Sequence, residues 1–162
     1  MQKLRLSTKG QEFQIFAIEQ LIGVVYPSEW GAPIWREFLH VAKSALPSLA
    51  HCRAVLVFVP GRTLTATERK TLVEVLPPPP THEPMRQAVL SNNLLIRGTL
   101  IATGWLMQKP NYELRPFPTS GCSNALEWLN GVARFDSIEA MVELKQAVIA
   151  SRQDVRLLRV SA

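Results

Sequence analysis

The stretch "RAVLVFVP", Arg53 to Pro60, constrains the fold most. It is apolar almost throughout and of strand length, the pattern of a strand covered on both faces. A central strand needs a layer above and a layer below it, and the flanking sequence alternates strand and helix signals accordingly. Upstream, "EFQIFAIEQLIGVVYPSEW" is rich in β-branched and aromatic residues, with Phe13, Ile15 and Ala17 alternating. It predicts an antiparallel hairpin over roughly residues 12 to 26, broken near Glu19 and Gln20. Pro27, Ser28 and Gly31 then lead into "PIWREFLHVAKSAL", where Ile34, Phe38, Val41, Ala42 and Ala45 recur at helical spacing. Pro33 suits the first turn of this helix, and Pro47 suits a stop just past its end.

After the central strand, "TATERKTLVEVL" predicts a second helix, capped by Thr65 or Thr67, with Leu72, Val73, Val75 and Leu76 apolar. Pro77 to Pro80 end it and read as a stiff spacer. A short strand over Gln87–Leu90 leads to "SNNLLIRGTLIATGWL", Ser91 to Leu106. Asn92 or Asn93 caps a helix from Leu94 to Gln108 that stops before Lys109 and Pro110. This run is shorter than the roughly 20 apolar residues of a spanning helix and contains Arg97, so a membrane span is rejected. Being apolar on most sides, it predicts cover nearly all round, by a sheet below and by a helix or second subunit above. Gly98 and Gly104 permit close approach of those neighbours.

"YELRPFPT" predicts an edge strand with Tyr112 and Leu114 on one face, and Phe117 on the same side once Pro116 disturbs the register. "SNALEWL" is a short helix capped by Ser123, burying Leu126 and Leu129 and ending at Asn130 and Gly131. "DSIEAMVELKQAVIA" is a final helix with Asp136 and Glu139 as a capping box and a stripe of Ile138, Met141, Val142, Val148 and Ile149. The order predicts an α/β fold: a mixed, mostly parallel sheet of about five strands, covered by four helices and a C-terminal helix over about 137–150. At 162 residues, a single domain over 1–162 is expected.

Hydrophobic residues at 47% and charged residues at 19%, with a mean hydropathy of +0.06, exclude a disordered chain and a membrane bundle. The net charge of +5 admits an acidic partner, but the excess is scattered. Arg152, Arg156 and Arg159, interrupted by Asp154, are its nearest approach to a cluster. With no nucleic-acid motif in view, a solvated basic face outweighs a nucleic-acid-associated protein. Cys52 and Cys122 are far apart and form neither a disulfide framework nor a zinc signature. The first residues lack a secretory signal, so a reduced, cytoplasmic setting is expected.

For chemistry, the candidates are His40, His51, His82 and the two cysteines, none in a recognisable motif. No catalytic residue, metal ligand or cofactor is therefore assigned. Ser91, Asn92, Asn93 and Arg97 form a candidate ligand or partner contact, since the first amides of a helix point unpaired at whatever sits there. Simple capping is the stronger reading of the same residues.

The second half, "AVLSNNLLIRGTLIATGWL", "ELRPFPT" and "NALEWL" with Ala125, Trp128 and Leu129, resembles the end of the SpoIIAA-like, STAS-like family of bacterial α/β domains. The resemblance covers roughly residues 12 to 131. It implies a non-catalytic regulatory domain that binds a protein partner, as in anti-sigma-factor antagonists and the cytoplasmic tails of anion transporters. Phosphorylatable members carry an aspartate, then a serine or threonine, where the third strand meets the second helix. Here "VFVPGRTLTAT" lacks the aspartate, and Thr63, Thr65 or Thr67 stand in as the implied phosphoacceptor or partner contact. A homodimer through the C-terminal helix is a further expectation. A small-molecule or lipid carrier is the alternative, since related α/β folds hold apolar ligands.

Overall fold

The computed structural model describes residues 4–7, 12–62, 64–75, 83–106, 111–151 and 158. Six strands, β1 (Leu4–Ser7), β2 (Gln14–Ile18), β3 (Leu21–Val25), β4 (Ala54–Phe58), β5 (Met85–Leu90) and β6 (Tyr112–Phe117), pair in chain order in one sheet. The pairs β1–β2 and β2–β3 are antiparallel, and the next three are parallel. All five expected strands are present; β1 adds a sixth at the edge, in a segment that the sequence reading left unassigned. Five helices follow the expected order: α1 (Ala32–Leu49), α2 (Ala66–Val75), α3 (Leu94–Leu106), α4 (Cys122–Asn130) and α5 (Ser137–Ala150). No helix among the described residues is long and apolar enough to cross a membrane.

Two cores lie on opposite faces of the sheet. Ala54, Leu56 and Phe58 of β4 face α4 and α5, together with Phe16, Leu21 and Leu90. Val55, Val57 and Val59 face α1 and α3, together with Ile15, Val24, Val89 and Leu114. The three helices that connect the parallel strands lie on one side, α1 and α3 on the same core and α2 packed beside α1. Phe13, Tyr26, Trp30, Trp35 and Phe38 close the α1 end of this core, mostly edge to face with centroids 5.2 to 6.0 Å apart.

The β2–β3 turn is pinned from several directions. Glu19 takes a left-handed φ of 51°. The Gln20 carbonyl accepts from Arg53 N and Ala54 N, and the Gln20 side-chain oxygen accepts from Arg134 N at 2.8 Å. Behind the turn, Phe16 stands directly opposite Gly23, and its ring occupies the space a Cβ there would need.

Four local expectations are corrected. Pro47 lies inside α1, which continues to Leu49. It is exposed one turn beyond an exposed Lys43, whose carbonyl loses the helical donor that proline lacks at a position open to solvent. Pro116 leaves the register of β6 unbroken, and Phe117 joins the α4 side, opposite Leu114. Asn111 O accepts from Met85 N and Phe117 O from Ser91 N. The backbone groups of residues 112, 114 and 116 therefore point to the sheet edge, where Pro116 removes one donor. Ser123 is not the cap of α4, because a 3-10 turn (Thr119–Gly121) leads straight into the helix at Cys122. The buried side of α5 is Ala140, Leu144, Ala147 and Val148, with Ile138, Val142 and Ile149 facing outward. The expected caps of α2, α3 and α5 are in place, with Asp136 Oδ1 accepting from Glu139 N at 2.9 Å. Pro77–Pro80, Lys109 and the arginines at 152, 156 and 159 lie outside the described residues.

A Gly23→Ala change forces the Phe16 ring off its cross-strand seat. It should lower the unfolding free energy by about 1–3 kcal/mol in urea denaturation, the usual cost of overpacking a well-filled core; an unchanged midpoint would show that the ring moves freely.

Candidate functional site

The carboxyl ends of β3 to β6 form one rim, and the sequence-derived candidates lie on it. From β3 to β6 the strand order never reverses, so the rim lacks the switch point at which open α/β sheets place a ligand crevice. Its loops rest on one another. A Cβ on Gly61 would stand 2.5 Å from Ser28 O, so only glycine lets the β4–α2 loop lie against the β3–α1 loop. Tyr26 N, Val59 N and Ser91 N donate to Phe58 O, Leu90 O and Phe117 O, carrying the ladder past the ends of the strands.

Thr65 and Glu68 form a reciprocal capping box at the start of α2. Glu68 N donates to Thr65 Oγ1 at 3.2 Å, and Thr65 N donates to Glu68 Oε1 at 3.1 Å. Arg62 Nη1 donates to the same Oε1 at 2.8 Å. Burial pushes the Glu68 carboxyl up, but the hydrogen bonds from Arg62 and Thr65 and the Arg62 charge outweigh it and hold its pKa below the ordinary value. Thr67, one residue into α2, is exposed. Thr63 lies outside the described residues.

The turn before α3 is bonded to itself and to the next loop. Ser91 is buried, and its Oγ accepts from Asn93 N at 3.2 Å. Asn93 Oδ1 accepts from Leu95 N at 2.9 Å and Ile96 N at 3.3 Å, so the first amides of α3 are occupied by a cap. Asn92 Oδ1 accepts from Thr119 N at 3.1 Å and from Thr119 Oγ1 at 2.7 Å. The structure thus gives Ser91, Asn92 and Asn93 a structural role. Arg97, in the first turn of α3, has a buried Nε without a hydrogen-bond partner.

Of the residues weighed for chemistry, His51 and Cys52 meet: Cys52 Sγ lies 4.0 Å from His51 Nε2 and 3.7 Å from Glu19 O. Cys52 and Cys122 are buried, and burial pushes their thiols up to about 11 and about 12, away from reactive thiolates. His51 Nε2 lies 2.8 Å from Glu19 O on the β2–β3 turn, and His40 is exposed on α1. His82 lies outside the described residues. Among the described residues, no group of three His, Cys, Asp or Glu side chains is placed to hold a metal ion.

The sequence reading missed a second polar cluster, on the α4 side. Arg86 Nη1 donates to Trp128 O at 2.6 Å at the C-terminal end of α4. The guanidinium carbons of Arg86 and Arg115 lie 5.0 and 4.8 Å from the Trp128 ring centroid. Both arginines lie within strand sequences, and no local signal links them to a tryptophan 42 residues beyond Arg86 and on a different element.

Comparison with protein-family models, curated proteins and solved structures finds no match to the chain.

Thr65→Ala removes the cap of α2 and should cost about 1 kcal/mol of unfolding free energy in urea. Because the folded-state pKa of Glu68 is depressed, its contribution is present above the ordinary carboxylate pKa and is lost as pH falls through the depressed value. The stability gap between the wild type and Glu68→Ala should therefore close in acid; a gap independent of pH would contradict the ionised capping box.

Proposed function

We propose that this chain is a non-catalytic partner-binding module of the SpoIIAA-like, STAS-like kind, which recognises a protein through the rim formed by the β4–α2 and β5–α3 loops. The observation that carries this reading is the way the rim uses its polar groups. Thr65, Glu68, Ser91, Asn92 and Asn93 bond within and between the loops, which makes the rim a preformed surface of capped helix starts. Such a surface suits recognition by a macromolecule with little rearrangement. The chain order of strands and helices from β2 to α4 is the order on which the resemblance was drawn.

Of the threonines that stand where the resemblance expects a phosphoacceptor, Thr67 is the better suited. The Thr65 hydroxyl serves the capping box, whereas Thr67 is exposed in the first turn of α2, where the helix N-terminus favours added negative charge. A phosphoryl group on Thr67 adds charge to the rim without removing the cap.

The test is capture of the cellular protein partner by tagged variants. Thr67→Glu should weaken capture at least tenfold, while Thr67→Ala and the destabilised Thr65→Ala retain it. Equal capture by all of these forms would remove the switch, and the absence of any stoichiometric protein partner would remove the module reading itself.

A further inference from the structure

Among the described residues the sheet ends at β1 and β6, and β6 pairs with β5 alone. Its register with β5 runs unbroken from Tyr112 to Phe117, so no bulge turns the edge away. Tyr112, Leu114 and Pro116 direct their backbone groups to that open edge. Such a row is a template for a further strand, which natural edges restrict with proline and with charge. Strand β6 carries both devices, in Pro116 and in Glu113 and Arg115, and here they select a partner. Proline removes a single donor near the end of the strand, and the two charges differ in sign.

A second copy of β6, antiparallel about a two-fold axis, admits few registers, because outward backbone groups must meet outward backbone groups. Centred on Glu113 or on Arg115, the pairing sets a charge against its own copy, which is destabilising. Centred on Tyr112 it runs off the strand, and centred on Pro116 it faces two residues that lack an amide hydrogen. Centred on Leu114, it sets Glu113 against Arg115 of the second copy and Arg115 against Glu113. These are non-hydrogen-bonded positions, where facing Cα atoms stand about 4.5 Å apart and side chains meet. On the other face Leu114 meets Leu114 and Tyr112 meets Pro116. Leu114 N then donates to Leu114 O of the second copy and Tyr112 N to its Pro116 O, which leaves only Tyr112 O opposite the missing proline donor.

Both charges are placed to take part. The Glu113 side chain is 56% exposed and lies 3.6 Å from Arg86 Nε without a hydrogen bond to it. Arg115 is exposed, and its stacking on Trp128, 4.8 Å from the ring centroid, leaves the edges of the guanidinium to donate. Arg86, the remaining charge on this face of β5 and β6, donates to Trp128 O, and α4 beside it adds the exposed Glu127.

We propose that β6 joins β6 of a second copy, antiparallel and centred on Leu114, so that one sheet runs through both copies. The contact is isologous and closes at two chains. One short strand makes a small interface, so the dimer depends on concentration. The inference does not depend on the rim as a partner site.

Sedimentation of the full chain from low micromolar to several hundred micromolar, with hydrogen exchange followed over the same range, tests it. The average mass should approach twice the 18.1 kDa of one chain and rise no further. The amides of Tyr112 and Leu114, which the sheet of one copy does not use, should gain protection as the dimer forms. Glu113→Arg and Arg115→Glu should each weaken the dimer by about tenfold or more, and an equal mixture of the two should regain it, because every facing pair is then opposite in charge. Should either variant melt earlier than the wild type, Leu114→Pro removes an outward amide in its place and should abolish the dimer. A wild type that stays monomeric would overturn the proposal. So would a mass that climbs past two chains, the mark of β6 adding to the β1 edge. A dimer that leaves the Tyr112 and Leu114 amides unprotected, as a pair formed through α5 would, overturns it as well.

Discussion

Ala54, Leu56 and Phe58 face one core and Val55, Val57 and Val59 the other, so β4 is the element on which both layers of helices rest. Fully burying a side chain the size of Leu56, Val57 or Phe58 contributes about 1.5–3 kcal/mol, and β4 does so on both faces at once. Its neighbours β3 and β5 share the arrangement, and the antiparallel hairpin extends the sheet on one side. Even the β2–β3 turn depends on β4, since the amides of Arg53 and Ala54 donate to the Gln20 carbonyl.

From this frame follows the asymmetry of the surface. Sequential parallel strands send α1, α2 and α3 to one side, which leaves the other to α4 and α5. Each side closes its core with part of its helices and leaves one apolar stripe outside it. The carboxyl ends of β4 and β5 meet the starts of α2 and α3 at the rim, where threonine and asparagine caps use the polar groups internally. The proposed recognition of another protein at the rim would use this finished surface.

How much of this was legible in the sequence depended on whether the signal was local. The buried run at β4, the hairpin break at Glu19 and Gln20, and the caps at Thr65, Asn93 and Asp136 rest on neighbouring residues, and each is found where expected. Pro47 misled because α1 runs only two residues past it, so little of the helix has to tolerate the proline. The stripe of α5 misled because the larger residues, Ile138 and Val142, draw the eye, whereas Ala140 and Ala147 are small enough to bring the helix against the sheet. Helix α3 looked covered all round, whereas among the described residues Leu94, Leu95 and Ile101 are exposed on it. The Arg86 and Trp128 contact joins residues remote in the chain, and so does the Asn92 to Thr119 bond.

The central claim is that the chain works through its surface. Native mass spectrometry of the protein isolated gently from its own cells tests this most directly. The account predicts species that contain a protein partner or further copies of the chain in whole-number ratios, with no additional small mass retained. A monomer that carries one small molecule per chain would contradict it and would make the protein a carrier.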